Sequence, residues 1–446
     1  MGKFFGTDGI RGKAEKFNAE FLYAVVLGLA KYNDSKNRES FKVLVGGDTR
    51  ESTEWILRDT ENALEACGAE HGNVGVLPTP AINKVFFEMG FDYAIDITAS
   101  HNPYTDNGIK IFERSEAGGV KLCEEGRDFI ERELEKSHDF ASVAVELSEN
   151  LHDEAVEIYL ESLRRYLEDF NLAGLKIGLD CANGATSEIA ARALESYGAE
   201  VHKINADANY GTKINQACGS THIEGLQKFV KEDHLDFGAA FDGDGDRCLF
   251  VDENGEIVDG DQSLAIFAEN LGLESLAVTV MANQGLMDWA EKSGKKVVIT
   301  DVGDSNVAAA MRNENIDLGG EQSGHIILPG EAMGDGILTA LIMGKIMAET
   351  KARLSSLAGT IVLFPQVLEN IPATDEEKAK LKEGESIKKL LIEYAKKAEK
   401  MGGRILVRPS GTESLIRITA WGKDMAETES FIKELAEKLK MELTND

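Results

Sequence analysis

Ala63-Leu-Glu-Ala-Cys-Gly-Ala-Glu70 and Ala193-Leu-Glu-Ser-Tyr-Gly-Ala-Glu200 are identical at six of eight positions. Each closes an apolar run at helical spacing, and in each a glycine stands where a helix ends in left-handed backbone. Upstream of the first octad, residues 41–45 read as a strand, Gly46-Gly-Asp-Thr-Arg50 as a loop and 52–67 as a helix. Downstream, 73–77 read as a second strand ahead of Pro78-Thr-Pro80. This is a β-α-β unit. The order returns around the second octad, with a strand at 176–179, the loop Asp180-Cys-Ala-Asn-Gly184 and a helix at 187–197. A fainter third copy runs from a strand at 276–281 through Ala282-Asn-Gln-Gly285 and a helix ending at Ser293-Gly294 to a strand at 296–300. The expectation is an α/β protein with three related α/β domains, each a mixed, largely parallel sheet sandwiched by helices. Past about residue 369 comes a Lys/Glu-rich helical stretch at 374–401, the break Gly402-Gly403, short strands flanking a polar loop and a helix at 425–440. These read as a smaller C-terminal α+β domain. The expected division is 1–152, 153–255, 256–369 and 370–446.

Of the 446 residues, 43% are hydrophobic and 28% charged, as in ordinary folded soluble proteins. Lys plus Arg number 48 against 78 Asp plus Glu, a formal charge of −30. That charge repels nucleic acid and anionic membranes, so neither is expected as a partner, and an anionic substrate needs a local basic pocket. Cys67, Cys123, Cys181, Cys218 and Cys248 are odd in number and form no C-x-x-C pair. They read as reduced thiols of a cytoplasmic protein. Met1-Gly-Lys-Phe-Phe-Gly6 has no apolar core of a signal peptide, and no apolar run approaches the ~18 residues of a membrane span.

Five polar stretches carry the chemistry. Thr98-Ala-Ser-His-Asn-Pro-Tyr104 follows the apolar run 93–97 and precedes loop residues, so Ser100 and His101 are placed on a loop leaving a strand end, where open α/β sheets bind ligands. Ser100 is a candidate nucleophile, with His101 and Lys110 nearby to activate it. Gly6-Thr-Asp-Gly-Ile-Arg-Gly12 is a glycine-rich loop with one cation, Arg11. Asp242-Gly-Asp-Gly-Asp-Arg247 sets three carboxylates at alternate positions, which suits a hard divalent cation. An EF-hand is excluded: its sixth position requires glycine and holds Arg247, and the flanks read as strands. An arginine beside a carboxylate-held cation points to a shared phosphoryl group. In Gly319-Gly-Glu-Gln-Ser-Gly-His325, the residues Glu321, Ser323 and His325 alternate; on extended backbone they would share a face able to bind sugar hydroxyls or a substrate ammonium. Arg408-Pro-Ser-Gly-Thr-Glu413, with Arg417 close by, offers a guanidinium, the Ser410 and Thr412 hydroxyls and backbone amides around Gly411, the makings of a phosphate cradle.

Together the serine, metal, sugar and phosphate loops resemble the α-D-phosphohexomutase superfamily, in the expected order along nearly the whole chain. The opening Phe5-Gly-Thr-Asp-Gly-Ile-Arg-Gly12, Asp180-Cys-Ala-Asn-Gly-Ala-Thr186 and Cys218-Gly-Ser-Thr-His222 are similar to its glucosamine-phosphate branch. Two segments depart from the pattern: Ser414 follows Glu413 in place of proline, and Ser305-Asn306 replace an Arg-Tyr pair. The resemblance implies four domains around a central cleft and an isomerase that moves a phosphoryl group within a hexosamine phosphate. Ser100 would carry the phosphoryl group. One Mg2+ per subunit would be held by Asp242, Asp244, Asp246 and an oxygen of that group on Ser100. A sugar 1,6-bisphosphate would act as activator. Arg11 and Arg247 would stabilise the transferring group, and His101 or Lys110 would serve as general acid/base. Glu321, Ser323 and His325 would bind the sugar; Arg408, Ser410, Gly411, Thr412 and Arg417 would bind the second phosphate. The resemblance allows a monomer or homodimer in amino-sugar precursor synthesis. The alternatives are a mutase of the same superfamily acting on phosphomannose or phosphoglucose, and a non-catalytic sugar-phosphate or cation-binding homologue. The latter should lack the serine or an aspartate, and all four are present.

Overall fold

The computed structural model describes residues 3–444 except 7, 39, 117, 141–149, 210 and 411–413. The repeated octads end their helices in the same turn. Gly68 and Gly198 adopt φ of +74° and +90°, conformations a side chain would strain. The next residue closes back onto the helix: Ala69 N–H donates to Leu64 O and Ala199 N–H to Leu194 O. The fainter third copy turns alike, with Gly294 at φ +67° and Lys295 N–H donating to Ala290 O. A shared local solution for helix-to-strand reversal therefore underlies all three repeats.

Each octad lies between parallel neighbours. Lys42–Gly47 pairs with Glu70–Val76 across the helix Glu51–Ala66, and Lys176–Asp180 with Glu200–Ile204 across Ile189–Glu195. The first sheet is mixed as expected. Tyr93–Ile97 runs parallel to Lys42–Gly47 and antiparallel to Asp106–Ser115, which also pairs with Ile10–Lys13 and Gly118–Lys121. In the second sheet Phe237–Phe241 turns antiparallel into Cys248–Asp252. The third contains Lys296–Thr300, Ser275–Thr279, Leu318–Gly320 and Ile326–Ile327 in that order. The fourth is a three-stranded antiparallel sheet, with Gln366–Pro372 and Arg404–Pro409 flanking Leu415–Trp421. Its helical stretch is two helices, Asp375–Glu383 and Glu385–Lys400, because Gly384 interrupts the helix.

The chain forms two compact units, Met1–Thr279 with Val298–Ala358, and Val280–Val297 with Gly359–Asp446. The first unit holds the serine, metal and sugar loops, and the second holds the phosphate loop. All five cysteines are free. Among the described residues no helix is long and apolar enough to cross a membrane.

Candidate active site

Tyr93–Ile97 is buried along its whole length and delivers Ser100 to its C-terminal end. Ser100 is 1% exposed and stands at φ +51°, a left-handed conformation unusual for serine. Its Oγ donates to Asp242 Oδ2 at 2.7 Å and lies 3.3 Å from His101 Nδ1. The loop is held from below by Arg50, whose side chain is fully buried. Arg50 Nη2 donates to the carbonyls of Ser100 and Asn102, and Nη1 to those of Pro103 and Asp106, at 2.6 to 3.0 Å. Its Nε donates to Asp48 Oδ2 at 2.8 Å, and that oxygen also accepts from Thr98 Oγ1 at 2.7 Å. Asn215 Nδ2 also donates to Ser100 O, at 2.8 Å. Neither Arg50 nor Asn215 was singled out in the sequence. Nothing in Gly46-Gly-Asp-Thr-Arg50 announces a partner some fifty residues away.

The hairpin between Phe237–Phe241 and Cys248–Asp252 gathers Asp242, Asp244 and Asp246, each at most 4% exposed. One ligand oxygen of each lies within 4.8 Å of the others. Gly243 lets this hairpin meet the serine loop, since a Cβ there would stand 2.6 Å from Ser100 O. Asp244 Oδ1 and Asp246 Oδ1 are buried and accept no hydrogen bond. Orphaned carboxylate oxygens at this spacing fit a hard divalent cation.

The electrostatics are those of crowded acids. Burial pushes Asp242 well above the usual carboxylate range, and Asp246 and Asp244 push it further. Burial also acts on Asp246, but Lys110, His325 and Arg247 outweigh it and hold that carboxyl well below its ordinary value. Lys110 Nζ lies 2.6 Å from Asp244 Oδ2, 3.0 Å from Asp246 Oδ2 and 3.5 Å from Asp8 Oδ2. Burial disfavours its charge, yet these carboxylates raise its pKa well above normal. His101 is the opposite case. Burial first, then Arg247 and Arg11, depress it to about 4, so it is neutral at pH 7. The backbone N–H of Arg247 donates to Asp242 Oδ1, while its Nε makes no hydrogen bond and its side chain is 22% exposed. Arg11 lies in the strand Ile10–Lys13 rather than in a loop, and its guanidinium pairs with Asp8.

The sugar loop differs from expectation. Residues 321–325 form a turn in which Gly324 N–H donates to Glu321 O and Glu321 N–H to His325 O. Alternation therefore does not place the three side chains on one extended face. His325 is 2% exposed, with Nδ1 3.8 Å from Asp246 Oδ1 and Nε2 accepting from Gly334 N–H at 3.1 Å. Burial opposes its charge, but Asp246 raises its pKa. Glu321 and Ser323 are half-buried, and Glu321 Oε1 accepts from Gly303 N–H. In the other unit, Arg408 and Arg417 are direct cross-strand partners. Ser410 is buried; Gly411 and Thr412 lie outside the described residues.

Four family models match in sequence. Residues 2–140, 157–255 and 259–362 match phosphoglucomutase/phosphomannomutase alpha/beta/alpha domains I, II and III, and 368–438 match the C-terminal domain. A phosphoglucosamine mutase from Geobacillus kaustophilus is 40% identical over 99% of both chains, and one from Bacillus subtilis is 39% identical over the same share. A phosphoglucomutase/phosphomannomutase family protein from Burkholderia thailandensis superposes with TM-score 0.80 at 21% identity, over 99% of this chain and 98% of its own. Aspergillus fumigatus N-acetylphosphoglucosamine mutase, solved with GlcNAc-6P and magnesium, superposes at 0.69 with 19% identity, over 99% of this chain and 96% of its own. The serine that opens onto three aspartates thus sits in a chain matched end to end, and the chain belongs to the phosphoglucosamine mutases of the phosphoglucomutase/phosphomannomutase family.

Proposed function

We propose that this chain interconverts glucosamine 6-phosphate and glucosamine 1-phosphate through a phosphorylated Ser100 and a glucosamine 1,6-bisphosphate. The supporting observation is the Ser100 Oγ at 2.7 Å from Asp242 Oδ2, at the edge of a carboxylate cluster with two unsatisfied oxygens. In the first half-reaction the sugar's free hydroxyl attacks the phosphoryl on Ser100. The new P–O bond forms, the bond to Oγ breaks, and the hydroxyl proton passes to a base. The second half-reaction returns the other phosphoryl of the bisphosphate to Ser100 Oγ.

Such transfers need positioning and charge more than covalent help. Arg11 and Arg247 supply cations at the transferring group. His101 is already neutral and can accept a proton; Lys110 can do so only once its carboxylates are otherwise engaged. Glu321 pairs with the ammonium at C2, with Ser323 and His325 on the sugar. Arg408, Ser410, Thr412 and Arg417 hold the phosphate that is not reacting. Mg2+ on Asp242, Asp244 and Asp246, when bound, supplies further charge neutralisation. A sugar bisphosphate primes the resting enzyme, and the chain acts in amino-sugar precursor synthesis in the cytoplasm, as a monomer or homodimer.

The test compares kcat/KM for glucosamine 6-phosphate, glucose 6-phosphate and mannose 6-phosphate with Mg2+ and a bisphosphate primer. A preference of about 100-fold or more for the amino sugar is expected, the discrimination of a half-buried charge partner left unmatched. Equal turnover of the neutral sugars would make the chain a general phosphohexomutase. A second expectation needs no turnover. Mg2+ relieves repulsion among the three aspartates, so at about 100 times its Kd it stabilises the fold by ~2.7 kcal/mol. Melting curves should show the rise in wild type and not in Asp244→Asn; equal rises in both would remove the triad from the cation site.

A further inference from the structure

Lys121 lies outside the five polar stretches. It ends the strand Gly118–Lys121, opposite Phe112 in the neighbouring strand. Its Nζ donates to Asp8 Oδ1 in the first domain and to Asp304 Oδ2 in the third. The side chain is only 25% exposed. Each carboxylate leads on to the reaction centre. Asp8 Oδ2 pairs with Arg11 and lies 3.5 Å from Lys110 Nζ. Asp304 Oδ2 lies 4.0 Å from His325 Nε2. Asp304 also opens the helix Asp304–Glu314, and the preceding Gly303 N–H donates to Glu321 Oε1 at 3.2 Å. One ammonium therefore closes a chain that runs from Arg11 and Lys110 to His325 and Glu321.

We infer that Lys121 is a positioning residue that sets the Arg11–Lys110 side of the site against the His325–Glu321 side by neutralising Asp8 and Asp304 together. Among the described residues its Nζ bonds to Asp8 and Asp304 and to neither Ser100 nor the three aspartates of the metal loop. Its effect reaches the reaction through the two carboxylates. Without it, Asp304 loses the cation it shares with Asp8, Asp8 keeps only Arg11 and Lys110 on its other side, and the two half-buried carboxylates, no longer bridged, separate. Arg11 and Glu321, held by those same segments, separate with them. This inference rests on the proposed mutase activity for its kinetic readout.

The test is a double-mutant cycle on the full chain with glucosamine 6-phosphate, Mg2+ and a bisphosphate primer. Lys121→Met is expected to lower kcat on the order of 10- to 100-fold with KM changed less than about threefold, since orientation rather than ground-state binding is lost. Lys121→Arg should recover much of that kcat. Asp304→Asn should lower kcat in the wild-type background and raise it in the Lys121→Met background, where it removes one of the two repelling carboxylates. A Lys121→Met variant with unchanged kcat overturns the inference, as do two single losses that simply multiply in the double variant. If Lys121→Met does not fold, Lys121→Gln with and without Asp304→Asn decides the same sign, because glutamine also lacks the cation. A wild-type chain that ignores glucosamine 6-phosphate overturns the functional reading alone. Amide exchange at residues 8–13 and 303–306, faster in Lys121→Met and slowed again in the double variant, still reads the coupling without substrate.

Discussion

Ser100→Ala is expected to lose at least about 10⁴-fold in turnover, the scale seen when a covalent nucleophile is removed from an otherwise intact site. The fold should survive. The substitution deletes one hydroxyl, and its hydrogen bond to Asp242 is worth on the order of 1 kcal/mol. Asp242, already pushed toward its protonated form by burial and its two neighbours, can tolerate the loss. Left-handed backbone at position 100 remains slightly costly for alanine, as for serine. The check is a paired measurement. Turnover should vanish while the melting temperature holds, and intact-mass analysis after incubation with a sugar bisphosphate should show one added phosphoryl group in wild type and none in the variant. Near-wild-type turnover by Ser100→Ala would falsify the phosphoserine route.

Arg50→Met should produce the largest stability loss of any single substitution near the site. Arg50 and Asp48 are fully buried, and the guanidinium also satisfies four carbonyls of the serine loop. Removing one partner of a buried pair costs about 3–5 kcal/mol, because the other charge is left unpaired. At roughly 2–4 °C per kcal/mol, melting should fall by about 6–20 °C. Activity should fall too, since the carbonyls of residues 100, 102, 103 and 106 lose their common donor. Arg50→Lys should not rescue. One ammonium lacks the planar fork that reaches Asp48 and four carbonyls at once. A lysine variant with wild-type stability and turnover would show that charge, and not the fork, holds the loop.

The sequence exposed whatever was compact in it. The octads at Ala63 and Ala193 announced the β-α-β repeat because a helix-ending glycine and its buried partners lie within a few residues. The metal loop was equally plain, its acids spanning five positions. What stayed hidden is non-local. Arg50 reaches residues 50 to 56 positions away, Asn215 reaches Ser100 from 115 away, and Lys121 meets Asp304 across 183. None of these side chains carries a local sign of its partner. The sugar loop was misread for another reason. Alternation implies a shared face only on extended backbone, and Gly324 at φ +89° permits a turn that sends His325 toward Asp246.

The interleaving of the two units sets an order of events at the ribosome. Val280–Val297 emerges early yet packs with Gly359–Asp446, the last residues made. Its partners are specific: Arg404 donates to the carbonyls of Val280 and Ala282, and Asn283 Nδ2 to Phe364 O. The larger unit is complete once residue 358 is out. At 5–20 residues per second, residues 280–297 then wait on the order of ten seconds for the rest of the chain. During that interval the nascent protein carries a helix-forming insert without its C-terminal partners, in a segment whose two flanks belong to the larger unit.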